Sequence, residues 1–89
     1  MTVRYTVVLS KLAQEKFDHF IRADRKRGEQ IAKAIDRLAS NPTLGEFLKG
    51  AWKGYRKYRT GAYRIIYRLE HDKLIIYVLT IDDRKDAYR

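Results

Sequence analysis

The stretch Trp52–Arg68, "WKGYRKYRTGAYRIIYR", decides the fold. It alternates with the two-residue period of a β-hairpin, breaks at "TGA", and carries six Lys or Arg, five aromatics and no acid. Side chains on a strand alternate between its two faces. In "AYRIIYRLE" this puts Tyr63, Ile65, Tyr67 and Leu69 on one face, and Arg64, Ile66, Arg68 and Glu70 on the other. The apolar set is suited to a core, so the arginines face outward. In "YRKYRT" Lys57 and Arg59 share a parity that Tyr58 opposes. If register follows the turn, Lys57, Arg59 and Arg64 converge on one cationic patch.

Working outward, "KLIIYVLTI" reads as a further strand joined through the turn "EHDK", so three strands form an antiparallel meander. Ile76 and Val78 have the parity opposite to Ile75, Tyr77 and Leu79. The strand therefore reads as buried on both sides, with a docking strip for a partner protein as the alternative. Upstream, "VRYTVVLS" alternates Val3, Tyr5, Val7 and Leu9 and reads as a first strand. Ser10 is placed to cap a helix with Ala13, Phe17, Phe20 and Ile21 on one stripe. "ADRKRGEQ" reads as a short connection to a second helix built on Ile31, Ile35 and Leu38. That helix stops at "SNP", because Pro42 excludes the helical conformation at Asn41.

The expected fold is α+β in the order β-α-α-β-β-β. An antiparallel helical hairpin covers one face of a mostly antiparallel four-stranded sheet, and residues 1–89 form one domain.

Charge bounds the partners. The formal net charge is +9, from 20 basic and 11 acidic residues, which points to a polyanion. Seven basic residues and no acid lie between Glu46 and Glu70, whereas the helical half mixes both signs. A merely solvated strand face is the plainer explanation of outward arginines, but such faces usually mix signs. Cys is absent, which excludes a disulfide framework and suits a reducing compartment. The N-terminal segment shows neither a signal peptide nor a membrane span, so a cytoplasmic protein is expected. Asp82, Asp83 and Asp86 read as turn and solubility residues, and no metal or other cofactor is implied. Tyr63, Tyr67 and Tyr77 read as core aromatics with a polar tip, and Trp52 as core rim. His19 and His71 read as exposed spectators.

The elements "LASNP", "LKG", "YRKYRTGAYRIIYRLE" and the terminal "RKDAY" resemble the RelE/ParE superfamily of toxins from bacterial and archaeal toxin–antitoxin systems, over nearly the whole chain. The Arg59-x-Gly61-x-Tyr63-Arg64 pattern is fairly specific, and Gly61 suits a turn that requires positive φ. The resemblance implies a branch choice. RelE-like members cleave messenger RNA in the ribosomal A site; ParE-like members share the fold, lack the cationic catalytic set and poison DNA gyrase. Carried over position by position, the RelE-like catalytic set falls on Lys57, Arg59, Arg64, Arg84 and Tyr88, each a suitable residue type. Lys49, Lys53, Arg56 and Arg68 would extend the RNA-binding surface. Many relatives have His just before the last arginine, where Asp83 stands here.

Attack of an RNA 2′-hydroxyl on the adjacent phosphate needs charge stabilisation and proton transfer. Arg suits the first because its planar fork grips two oxygens. Lys57 is the candidate base, with Arg59 or Arg84 near the leaving oxygen and Tyr88 positioning a base. Asp83 is a lesser candidate. The resemblance also implies a cognate antitoxin protein, with ribosome and mRNA as the other partners. A ParE-like gyrase inhibitor and a non-catalytic nucleic-acid-binding module are the alternatives.

Overall fold

The computed structural model describes residues 3–83. The elements run β1 (Thr6–Leu9), α1 (Lys11–Ala23), α2 (Arg25–Ser40), β2 (Glu46–Phe47), β3 (Arg56–Thr60), β4 (Tyr63–Glu70) and β5 (Ile75–Asp83). The expected order and class are present, with two differences in the sheet. It has five strands rather than four, because Glu46–Phe47 pairs antiparallel with β3 at one edge. The strand order is β1-β5-β4-β3-β2, and β1 lies parallel to β5. A parallel partner requires a long crossover, which the helical hairpin and the meander supply.

Local chemistry sets the boundaries. The Ser10 Oγ accepts from the Ala13 N–H at 3.0 Å and so caps α1. The connection between the helices is far shorter than "ADRKRGEQ" suggests. Asp24 alone separates them, and its Oδ1 accepts from the Lys26 N–H to open α2. Gly28 is not a turn residue but a buried helical one. A Cβ there would lie 2.5 Å from Ile21 Cγ1, so the missing side chain lets α1 and α2 close together. Ile21 serves this contact and is 37% exposed, not a core residue. At the end of α2, Asn41 leaves the helical region with φ −144° and ψ 78°, in line with the exclusion of helical backbone before proline. Gly61 has φ +57° in the two-residue β3–β4 turn.

The core forms between the helices and one sheet face. Ala13, Ile31, Ala34 and Leu38 meet Tyr63, Ile65, Tyr67, Ile76, Val78 and Ile81. Each large apolar side chain withdrawn there from water stabilises the fold by about 1.5–3 kcal/mol. Tyr67 is fully buried but satisfied: its hydroxyl donates to the Pro42 carbonyl at 2.7 Å and accepts from the Gly45 N–H at 3.0 Å. It thus ties the stretch after α2 to the sheet centre. Burial pushes its phenol above the ordinary value of 10.0, opposed by the Gly45 hydrogen bond and the Arg56 charge.

One irregularity shapes β5. Ile66 faces Thr80 but Tyr67 faces Val78, so Leu79 is an extra residue, a β-bulge. Ser10 stabilises it by donating from Oγ to the Leu79 carbonyl at 2.6 Å. Across the bulge the core parity switches, from Ile76 and Val78 to Ile81. No helix among the described residues is long and apolar enough to cross a membrane.

Candidate nucleic-acid interface

The sheet face opposite the helices carries the candidate site. β3 and β4 pair so that Arg59 faces Arg64 and Lys57 faces Ile66; on the other side of β4, Arg64 faces Asp82 and Ile66 faces Thr80. Residues directly opposed on neighbouring strands point to the same face with Cβ atoms roughly 4.5–5.5 Å apart. Arg59 and Arg64 are therefore immediate neighbours, with Lys57 one diagonal step away. Arg59 is exposed and Lys57 half-buried. Arg64 is also half-buried, with its Nε and Nη2 shielded from water. A recess beside the row is lined by Leu44, Glu46, Lys57, Tyr58 and Arg59.

Cross-strand pairing brings in carboxylates that the linear order conceals. Glu46 faces Lys57 through the short edge strand β2, and Asp82 faces Arg64. Asp82 also binds Lys16 Nζ of α1 at 2.9 Å and accepts from the Thr80 hydroxyl at 3.3 Å. Asp82 and Asp83 are thus strand residues rather than turn residues. Asp83 faces Tyr63, on the helix side. Among the described residues no His, Cys, Asp and Glu cluster could hold a metal ion.

The remaining expected residues divide. Arg68 shares the open face, its guanidinium 4.3 Å above the Tyr77 ring. Arg56 has the opposite parity: it stacks 3.8 Å from the Phe47 ring centroid and donates to the Gly45 carbonyl at 2.8 Å, away from the row. Lys49 and Lys53 are exposed on either side of a single 3-10 turn, Gly50–Trp52. Arg84 and Tyr88 lie outside the described residues. Tyr63 and Tyr67 are core residues, but Tyr77 is half-buried on the open face, and Trp52 is 49% exposed against the edge of Tyr55. His19 and His71 are exposed, and His71 Nδ1 pairs with the Tyr5 hydroxyl at 2.9 Å. Of the apolar members of the open face, Ile66 is buried and Ile75, Tyr77 and Leu79 are half-buried.

Two helices on one face of a mixed five-stranded sheet are the fold shared with RelE/ParE toxins. The family model described as "ParE toxin of type II toxin-antitoxin system, parDE" matches residues 7–88, and the chain belongs to that family. It is 33% identical over 60 residues to the curated Toxin ParE1 of Mycobacterium tuberculosis, in both strain CDC 1551 / Oshkosh and strain H37Rv. The match covers 67% of this chain and 61% of those relatives' length. Among solved structures, it is similar to the toxin–antitoxin complex RelBE2 from M. tuberculosis (TM-score 0.79, 25% identity, 92% of this chain and 100% of that chain). It is also similar to the YoeB/ParE toxin from Agrobacterium tumefaciens (TM-score 0.77, 25% identity, 88% and 96%). The intact E. coli RelBE complex shares the fold at 15% identity, with a TM-score of 0.72 and coverage of 89% and 95%.

Proposed function

We propose that this toxin is a ribosome-dependent endoribonuclease that cleaves mRNA in the A site and so inhibits translation. The observation that carries the reading is the placement of Arg59 directly across from Arg64, with Lys57 beside them, on the sheet face free of helices. Two guanidinium groups at cross-strand spacing, Arg59 exposed and Arg64 partly covered, suit one phosphodiester, whose two non-bridging oxygens gain charge during in-line attack. In this reading Lys57 accepts the proton of the attacking 2′-hydroxyl. The 2′-oxygen bonds to phosphorus, the bond to the 5′-oxygen breaks, and the products are a 2′,3′-cyclic phosphate and a 5′-hydroxyl that takes up a proton. Arg64, joined by Arg84, stabilises the phosphorane charge; Arg59 or Arg84 lies near the leaving oxygen; Tyr88 positions an RNA base. Comparable arginines in phosphoryl transfer contribute about 10³–10⁵ in rate. No histidine stands in the row, so the chemistry relies on positioning, which the ribosome supplies.

A cognate antitoxin is part of the proposal, supported by similarity to toxins solved in antitoxin complexes. It would present acids to the basic row and an apolar segment to the sheet. A cytoplasmic site of action follows from a ribosomal target. Toeprinting of translating ribosomes tests the reading: A-site cleavage is expected with the protein and is expected to vanish with Arg64→Ala. Ribosomes left intact, or naked RNA cut as fast as ribosome-bound RNA, would overturn it.

A second reading, inhibition of DNA gyrase, is favoured by the family model and by the name of the curated relative. It predicts loss of gyrase supercoiling with intact ribosomal mRNA, and growth arrest that persists in Arg64→Ala.

A further inference from the structure

The open face holds a second recess, further along β4 and separate from the Lys57–Arg59–Arg64 row, that the proposed cleavage chemistry does not use. Its walls include Tyr55, just before β3, Arg68 of β4, and Tyr77 and Leu79 of β5. Arg68 faces Tyr77 across the strand boundary and lays its guanidinium over the ring at 4.3 Å. The Arg68 side chain is 41% exposed and lines the recess. Tyr55 is held by the edge contact with Trp52, at 6.0 Å and 86°. The bulge places Leu79 beside Tyr77 as an apolar floor. Tyr55 and Tyr77 are half-buried, and neither belongs to the core cluster. Among the described residues the carboxylate paired with Arg68 is Glu70, at 3.9 Å and beyond hydrogen-bond range.

We propose that this recess is a stacking site for one unstacked nucleobase of single-stranded RNA, with the base lying on the Arg68 plane against Tyr55. The inference rests on the proposed RNA substrate and adds a specific subsite to it. Arginine planes and aromatic rings are the groups on which splayed-out RNA bases stack. The walls offer flat, polarisable surfaces suited to any base rather than a hydrogen-bonding code. Continuity favours nucleic acid over a peptide. Arg68 lies four positions from Arg64 on β4, about 13 Å along the strand, so one RNA chain reaches both, its phosphate on the row and a nearby base in the recess.

The test is a binding experiment that needs no cleavage. A 2′-O-methyl oligoribonucleotide, which lacks the attacking hydroxyl, is titrated at low ionic strength, with a single abasic position stepped along it. Abasic replacement at one position is expected to weaken binding about ten-fold. That penalty is expected to disappear in Tyr55→Ala and in Arg68→Lys. Arg68→Lys keeps the charge, so the salt dependence should stay unchanged while the planar stack is lost. A flat abasic scan, or a penalty that survives both substitutions, overturns the inference whatever else fills the recess. The two proposals fail separately. Positional abasic sensitivity without A-site cleavage keeps the subsite and removes the nuclease. A-site cleavage with a flat scan does the reverse.

Discussion

Arg59 and Arg64 stand directly opposite one another on β3 and β4, two like charges in the one cross-strand position where repulsion is greatest. Like charges directly opposed across strands are unfavourable, and Asp82 faces Arg64 from the other side. Arg59→Gln is therefore expected to leave the thermal midpoint unchanged or raise it, while lowering ribosome-dependent cleavage. Differential scanning calorimetry alongside toeprinting checks both halves. A large drop in midpoint would mean that Arg59 is a structural residue.

At Arg64 the geometry of the guanidinium should matter more than its charge. Arg64→Lys retains the cation but loses the planar fork, so it is expected to lose most of the roughly 10³–10⁵ that such an arginine contributes. Single-turnover cleavage on programmed ribosomes measures this. Near-wild-type rates in Arg64→Lys would reduce the row to simple charge neutralisation.

Asp82 tempers the row. It faces Arg64 and binds Lys16 at 2.9 Å, with both side chains only partly covered. A unit negative charge about 4 Å from a phosphate costs on the order of 1 kcal/mol in a water-like medium. Asp82→Asn is expected to tighten oligonucleotide binding about five-fold at low salt, an effect that shrinks as salt screens it. The stability lost with a pair of this exposure is about 1 kcal/mol at most. Fluorescence anisotropy across a salt series reads the first effect and chemical denaturation the second. Unchanged affinity at low salt would show that Asp82 does not face bound nucleic acid.

These pairings explain what the sequence alone made readable. The meander, the split of Tyr63, Ile65 and Tyr67 from Arg64 and Arg68, the Ser10 cap and the stop before Pro42 are local patterns with period two, period 3.6 or a single turn. Each follows from residues within a few positions of one another. The parallel pairing of β1 with β5 joins Thr6 to Ile75, and no short-range pattern records that distance. β2, at two residues, is below the length at which alternation is visible. The acids facing the row, Glu46 and Asp82, were hidden for the same reason: they approach Lys57 and Arg64 only through pairing. Leu79 shifts parity within β5, so the core set passes from Ile76 and Val78 to Ile81, a switch that strict alternation does not foresee. Gly28 lies inside "ADRKRGEQ", the stretch that reads as a connection, and a glycine at a close helix contact has the same letter as one in a turn.

That glycine supports a separate prediction about packing. In Gly28→Ala the new Cβ would fall 2.5 Å from Ile21 Cγ1 and 2.8 Å from the Ile21 Cα. Because backbone is among the atoms met, a side-chain rotation alone cannot relieve the overlap, and α1 and α2 must separate. Alanine's better helix propensity, about 1 kcal/mol over glycine, offsets part of an overpacking cost of about 1–3 kcal/mol. A net loss of up to about 2 kcal/mol is expected, or about 4–8 °C in midpoint for each kcal/mol in a domain of this size. Thermal unfolding by circular dichroism checks it, and Gly28→Ala together with Ile21→Ala is expected to recover part of the loss. A midpoint at or above wild type would show that the helices part without cost.

Tyr67 provides a pH-dependent prediction with a definite sign. Its phenol is buried and its pKa raised, chiefly by that burial, so the folded state holds the proton to higher pH than the unfolded chain does. Stability from this group is complete below the ordinary value of 10.0 and is lost as pH rises from there through the raised folded value. Unfolding free energy is therefore expected to fall above about pH 10, more steeply in wild type than in Tyr67→Phe. At neutral pH the order reverses in favour of wild type. The variant loses the hydrogen bonds to the Pro42 carbonyl and the Gly45 N–H, leaving two buried groups unsatisfied at about 1–3 kcal/mol each if water does not reach them. Urea unfolding at pH 7 and at a series of values above pH 9.5 measures both effects. Parallel pH profiles for the two proteins would mean that the alkaline loss arises elsewhere, and that the tyrosine at the centre of the sheet is not the group that releases its proton.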